Sequence, residues 1–276
     1  MVKVTIPNLN GESQIYAVFG DPIFQVQTPH LINPIFAAAG KNIYAVPFHV
    51  TAERFADAWD TFAAMSNVSG ISTTVPHKVT AAKRCDTLTP TAKAVGAVNC
   101  VQRGIDGRMH GALFDGTGFV EGLGDAKARI RGARVLIVGA GGAGRAIAFS
   151  LAEEGVGQLS LMDLSTDSIA FTANMVNAVT GRECAHAVDA SSGWNYDVVI
   201  NASPIGIKGT AVFPMPDAAI RPEMLIADIA SLTGETALLR AARASGAATS
   251  DGNDMLGAQI RLMAGFAAGL PAGMPL

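Results

Sequence analysis

The sequence predicts an α/β fold in two domains. Short apolar runs of strand length alternate with helical stretches, and glycine, proline and aspartate punctuate the joins. At 276 residues the chain is long for one core and comfortable for two of ordinary size. Apolar residues make up 49% and charged residues only 16%, with 30 glycines and few aromatics. That composition suits small-residue helices packed closely on parallel strands.

Residues 16–20 (YAVFG) read as the first strand, ending in the turn Gly20-Asp21-Pro22. Pro29 can open a helix that ends near Gly40. Residues 43–50 form a second strand, and Thr51 is placed to cap the following helix, with Arg54 and Asp57 on its wet face. A third strand, 68–75, closes at Pro76, and a helix follows from Lys78. Residues 97–103 and 108–113 flank Gly104-Ile105-Asp106-Gly107 as a hairpin, one antiparallel excursion in a mostly parallel sheet. The domain boundary is expected at Asp115-Gly116. Beyond it, 117–123 reads as a connecting helix and 133–138 (ARVLIV) as a strand. Further strands are expected at 158–162, 184–188, 196–200, 225–229 and 247–250. After Asp251-Gly252 a long Ala/Met/Leu helix runs from about Met255 with no strand behind it. It is expected to return to the first domain, so that 1–115 with 252–276 form one domain and 116–251 the other. The uncharged tail after Arg261 is expected to dock a helix end and then fray.

The net charge is −3 and there is no basic run, which argues against nucleic acid and anionic membrane as partners. The N-terminus lacks an apolar stretch of signal-peptide length, and the apolar tail is too short to span a bilayer. A cytoplasmic protein is expected. Cys85, Cys100 and Cys184 are odd in number and lack any CxxC spacing, so they read as packing residues rather than as a disulfide framework or a zinc site. His30, His49, His77, His110 and His186 show no ligand spacing, and no metal is expected.

The sequence is most informative at Gly139-Ala140-Gly141-Gly142-Ala143-Gly144, a GxGxxG pattern between a strand and a helix. Gly139 permits the tight turn, Gly141 lets a pyrophosphate approach the backbone, and Gly144 lets helix and strand pack closely. The helix N-terminus then offers unpaired N–H groups and a positive dipole end to phosphates. In that context the pattern marks a Rossmann NAD(P)-binding domain. The next strand ends at Met162-Asp163, close to the spacing expected of an acid that reads the ribose. A carboxylate there accepts from a 2′-hydroxyl and repels a 2′-phosphate. No Arg or Lys follows in Leu164-Ser165-Thr166-Asp167-Ser168. NAD is therefore expected to be preferred, with NADP left open. The bland alternative for Asp163 is a cap on the next turn.

Further segments resemble the shikimate/quinate dehydrogenase family. Gly20-Asp21-Pro22-Ile23 with Thr28-Pro29 stands where that family has a glycine-x-proline-isoleucine and serine-proline segment. Residues 70–78, ending Thr74-Val75-Pro76-His77-Lys78, resemble its asparagine-valine-threonine-valine-proline-x-lysine segment. Gly96-Ala97-Val98-Asn99, Asp115-Gly116-x-Gly118, Ile200-Asn201-Ala202-Ser203 and Gly252-x-x-Met255-Leu256-x-x-Gln259 match later landmarks. Each piece is unspecific; their order and spacing over nearly the whole chain are specific.

The resemblance implies a second α/β domain of the shikimate dehydrogenase substrate-binding type, and a Lys78/Asp115 dyad at the cleft between the domains. Oxidising a secondary alcohol sends hydride to the nicotinamide and needs a base for the hydroxyl proton. Lys78 is the implied proton carrier or substrate clamp, and Asp115 orients it. Without the resemblance, a surface lysine and a loop cap would be the simpler readings. Substrate contacts are implied for Thr74, Asn99 and Gln259, whose hydroxyl and amides can read a polyhydroxy ring acid. Asn201 and Ser203 are implied at the cofactor.

Three departures fall on the substrate side. Val26 and Thr28 stand where the family places two serines near the substrate carboxylate, with Gln25 and Gln27 beside them. Ser72 replaces an asparagine. No tyrosine follows Asp228, where the chain reads Ile229-Ala230-Ser231. The implied activity is interconversion of a ring alcohol and ketone of the shikimate/3-dehydroshikimate type, by a monomer or homodimer, as in aromatic amino acid biosynthesis. The alternatives are a paralogue acting on quinate or another hydroxylated ring acid, and a non-catalytic ligand-sensing module, which need not keep an acid–base pair.

Overall fold

The structure, a computed structural model, describes residues 9–24, 26–206, 213–230 and 234–276. Gln25 and Ser231 lie outside the described residues. The chain divides into two compact units, Met1–Ala112 with Ile260–Leu276, and Leu113–Gln259. The changeovers fall three residues before the expected Asp115-Gly116 break and, at the far end, inside the last helix rather than at Gly252.

In the first unit β1 (Gln14–Gly20), α1 (Thr28–Ala38), β2 (Ile43–His49), α2 (Phe55–Ala63), β3 (Val68–Thr73), α3 (Lys78–Ala82), β4 (Thr87–Leu88), α4 (Pro90–Val95), β5 (Cys100–Arg103) and β6 (Met109–Ala112) follow in chain order. They build one sheet in the order β2-β1-β3-β5-β6-β4. Only β5 runs against its neighbours, and the other pairs are parallel. Strand β2 sits at the edge, which is where a strand carrying Pro47 can be accommodated. Phe19 anchors the core under it, edge-on to Phe48, Phe55 and Phe62 at 6.1, 6.3 and 5.1 Å between ring centres.

Two local expectations need correcting. Thr51 does not cap α2. The Arg54 N–H donates to the Thr51 carbonyl in a turn, and the helix starts only at Phe55 without a side-chain cap. The helix from Lys78 is a single short turn, after which β4 and α4 appear. Their signature was present in Thr89, Pro90 and Gly96. Thr89 caps α4 by accepting from the Ala92 N–H, Pro90 opens it, and Gly96 ends it at φ 71°.

The second unit contains α5 (Asp115–Gly122), β7 (Arg134–Val138), α6 (Gly142–Glu153), β8 (Gln158–Met162), α7 (Thr166–Thr180), β9 (Ala185–Ala187), β10 (Val198–Asn201), β11 (Leu225–Asp228), α8 (Ala237–Ser245), β12 (Ala248–Asp251) and the start of α9 (Gly252–Ala267). Its sheet is fully parallel, in the order β12-β11-β10-β7-β8-β9. The chain winds outward from β7 to β9, then returns to β10 beside β7 and winds the other way. That reversal makes a crevice at the C-terminal ends of β7 and β10. Val135, Leu136 and Ile137 are fully buried, so β7 reads as a continuous apolar run rather than an alternating one. Burying each stabilises the fold by roughly 1.5–3 kcal/mol.

Helix α9 starts at Gly252 because the Asp251 carboxylate accepts from the N–H groups of Asn253 (2.8 Å) and Asp254 (3.1 Å). It ends at Ala267, so the expected helix 252–276 is shorter than read. The tail does not fray: the Leu270 N–H donates to the Gly265 carbonyl and the Leu276 N–H to that of Arg261. Among the described residues no helix is long and apolar enough to cross a membrane.

Candidate active site

The glycine-rich turn lies between β7 and α6, at the mouth of the crevice. Gly139 has φ 102°, a conformation that favours glycine, and a Cβ there would lie 2.7 Å from the Ala202 carbonyl group. A Cβ on Gly144 would strike the Gly139 carbonyl oxygen, so the helix presses directly on the turn. Gly141 precedes the first residue of α6, and a Cβ there would meet nothing within 4 Å. The turn therefore leaves open space in front of the helix N-terminus, with Gly142 and Ala143 as its first residues. This arrangement fits a dinucleotide pyrophosphate.

Asp163 reaches across to this turn. Its Oδ2 accepts from the Ala140 N–H at 2.6 Å, and its Oδ1 from the Ser165 N–H at 2.8 Å. Part of the bland reading thus holds, because the carboxylate does tie down local backbone. Each oxygen keeps a second lone pair for a ribose hydroxyl. Leu164 beside it is fully exposed. Arg145 lies over the Phe171 ring at 4.5 Å and donates to the Ala140 carbonyl, bracing the same turn from α6.

Asn201 ends β10, and Ser203 sits on the turn after it. Asn201 is fully buried, and its Oδ1 accepts from the Ser203 N–H and Oγ at 3.1 and 2.7 Å. Asn201 therefore shapes the wall of the crevice rather than facing into it.

In the first unit, four expected site residues gather at the C-terminal edge of β1 and β3. A Cβ on Gly20 would lie 2.6 Å from Thr74 Cγ2 and 3.7 Å from Val26 Cγ2, which places these two side chains over the same glycine. Lys78 opens α3, and its carbonyl accepts from the Val98 N–H at 3.0 Å. Asn99 follows, buried, and its carbonyl accepts from the Thr73 N–H and from Ser72 Oγ at 3.1 Å each. Ser72, the departure from asparagine, is buried against Asn99 and holds its backbone. Thr28 lies nearby in the chain as the first residue of α1.

His77 fixes the start of α3. Its ring stacks on Phe55 at 4.6 Å between centres, and Nε2 donates to the Val50 carbonyl at 2.6 Å. Burial lowers its pKa below the ordinary 6.5, so the ring is neutral.

Asp115 and Gln259 belong to the second unit. Asp115 is buried at the N-terminus of α5, where the helix dipole favours a negative charge. The glycines after it let neighbouring helices close in. A Cβ on Gly116 would strike the Ala146 carbonyl of α6, and one on Gly118 would strike the Gln259 side chain of α9. The Asp-Gly-x-Gly segment thus seats a carboxylate and an amide on two helices in direct contact.

Sequence reasoning missed Asp228. It is fully buried at the end of β11, in register with Asn201 at the end of β10. The signal was available: two apolar strands, VVIN and LIAD, each end in a polar residue where a parallel sheet places its ligand-facing edge.

Comparison with known proteins supports the family. Residues 18–101 match the shikimate dehydrogenase substrate binding domain. A shikimate dehydrogenase (NADP(+)) of Gluconobacter oxydans is 34% identical over 264 residues, covering 94% of this chain and 91% of that protein. Shikimate 5-dehydrogenase from Listeria monocytogenes, solved with shikimate and NAD, superposes with a TM-score of 0.86 at 26% identity, over 98% of this chain and 96% of that one. Quinate dehydrogenase from Corynebacterium glutamicum, solved with NAD, gives a TM-score of 0.84 at 27% identity over 94% of each chain. With motif order, strand order and whole-length similarity in agreement, this chain belongs to the shikimate dehydrogenase family of nicotinamide-dependent oxidoreductases.

Proposed function

We propose that this chain is an NAD-preferring dehydrogenase that interconverts the ring alcohol and ketone of a polyhydroxy ring acid of the shikimate/3-dehydroshikimate type. The observation that carries the reading is the parallel sheet with its crevice at β7 and β10, where the open turn at Gly141 meets the acid Asp163. Bound there, the dinucleotide supplies or accepts a hydride. The backbone N–H groups at the start of α6 hold its phosphates, and the spare lone pairs of Asp163 read the ribose diol. NAD as the preferred cofactor follows from Asp163 and the absence of a cation in 164–168.

The amine of Lys78 takes the hydroxyl proton at Nζ during oxidation, and the ammonium so formed returns it during reduction. Asp115 accepts from a substrate hydroxyl. Thr74, Asn99 and Gln259 hold further hydroxyls, with Thr28 toward the carboxylate. The first unit is the substrate domain and the second the dinucleotide domain, working as a cytoplasmic monomer or homodimer. Retention of both Lys78 and Asp115 favours turnover over ligand sensing. Initial rates with shikimate and quinate, each against NAD and NADP, test the reading. Dinucleotide reduction with NAD ahead of NADP supports it, and no turnover of either acid overturns it.

A further inference from the structure

Among the described residues, Asp228 accepts from three donors. Its Oδ1 takes the Asn201 Nδ2–H at 3.0 Å and the Ala230 N–H at 3.1 Å, and its Oδ2 takes the Thr236 hydroxyl at 2.6 Å. Burial pushes its carboxyl above the ordinary range, while these three bonds favour the charged form. A buried polar group at a strand end is costly unless it is fully used, so an apolar residue would serve packing better.

The carboxylate has a consequence for Asn201. Because a carboxylate can only accept, it must face the amide NH2, which turns Oδ1 of Asn201 toward the following turn. There Oδ1 receives the Ser203 N–H and Oγ, while the same NH2 also donates to the Ile205 carbonyl at 2.7 Å. Ser203 Oγ in turn accepts from the Ile205 N–H at 3.2 Å. The backbone of the turn is thus hung on one amide, and the orientation of that amide is set by Asp228. This turn bears directly on the glycine-rich one, since a Cβ on Gly139 would lie 2.8 Å from the Ser203 nitrogen.

We infer that Asp228 is a positioning residue for dinucleotide binding: by orienting Asn201 it fixes the turn that walls the crevice opposite Gly139. The inference rests on the reading of that crevice as the dinucleotide site.

The test uses the full chain with Asp228→Asn, Asp228→Leu and Asp228→Ala. Asp228→Asn can keep Oδ1 on the Asn201 amide while its NH2 donates to the Thr236 hydroxyl, which can also accept. This variant therefore preserves the orientation of Asn201, whereas Asp228→Leu and the smaller Asp228→Ala remove the acceptor that sets it. The readouts are the dissociation constants for NADH and NADPH by fluorescence titration, with Tm and far-UV circular dichroism as controls of folding. The expected result is about tenfold weaker binding of the preferred dinucleotide in Asp228→Leu, or in Asp228→Ala where the leucine variant does not fold, with Asp228→Asn close to the parent. A merely structural role lowers Tm and leaves the dissociation constant of a folded Asp228→Leu or Asp228→Ala at the parent value, which overturns the inference alone. A parent chain that binds neither dinucleotide overturns the reading beneath it, and the inference with it.

Discussion

The carboxylate of Asp163 is hydrogen-bonded to the backbone N–H of Ala140 at 2.6 Å, so the end of β8 and the glycine-rich turn after β7 are held as one piece. The acid assigned to choose the cofactor therefore also shapes the turn that holds it. Substituting it should carry two separable effects.

Asp163→Ser with Leu164→Arg should move the preference toward NADP, because repulsion of a 2′-phosphate is replaced by a planar cation that can pair with it. The same variant leaves Ala140 with a weaker partner or none. Its kcat/KM with NAD should fall by roughly ten- to a hundredfold, the scale of losing one or two hydrogen bonds to a charged group. Steady-state kinetics with both dinucleotides check this. A parent enzyme that prefers NADP contradicts the assignment of Asp163.

Lys78→Ala should lower kcat by roughly 10²–10⁴, the usual scale for removing a positioned acid–base group. Its side chain is half-buried at a helix start, so Tm should barely change. A variant that turns over like the parent removes Lys78 from the chemistry.

His77 predicts a pH dependence of stability. The folded chain keeps this buried ring neutral below its ordinary pKa of 6.5, whereas the unfolded chain takes up the proton. Stability is therefore unaffected at higher pH and falls as pH drops below 6.5, until the lowered folded pKa is reached. His77→Phe keeps a ring against Phe55 but leaves the Val50 carbonyl without this donor, costing about 1 kcal/mol at neutral pH. Its Tm should fall less than that of the parent between about pH 7.5 and about pH 5.5. Parallel Tm profiles contradict this.

Val26 bears on substrate choice. It offers a methyl over Gly20, beside Thr74, where the family resemblance implies a hydroxyl for the ring carboxylate. Shikimate should be turned over with a raised KM, since the carboxylate is held alike in ground and transition states. Val26→Ser should recover part of roughly a ten- to hundredfold deficit, the scale of one hydrogen bond to a charged group. Thr28→Val should weaken binding further. Family-level efficiency of the parent with shikimate contradicts the argument.

The two-domain α/β architecture was legible because buried parallel strands leave unbroken apolar runs, such as residues 135–138, and because Gly139, Gly141 and Gly144 each answer a distinct steric demand. Short elements were not. β4 has two residues and no periodicity to read, and Thr51 resembles a cap although the chain spends three residues in a turn before α2 begins. Gly116 and Gly118 were read as landmarks, whereas their role, admitting α6 and α9 to α5, depends on tertiary contacts. Asp228 escaped because its meaning lies in its register with Asn201, across 27 residues of sequence.

The central claim is that the dinucleotide and a ring alcohol react through Lys78. The most direct measurement is the rate of dinucleotide reduction by the parent and by Lys78→Ala, each with NAD and with shikimate or quinate in excess, alongside NADH binding to both proteins. The account predicts turnover by the parent, a loss of roughly 10²–10⁴ in the variant, and equal NADH binding by the two. Equal turnover by both proteins, or none by a folded parent that binds NADH, would contradict it.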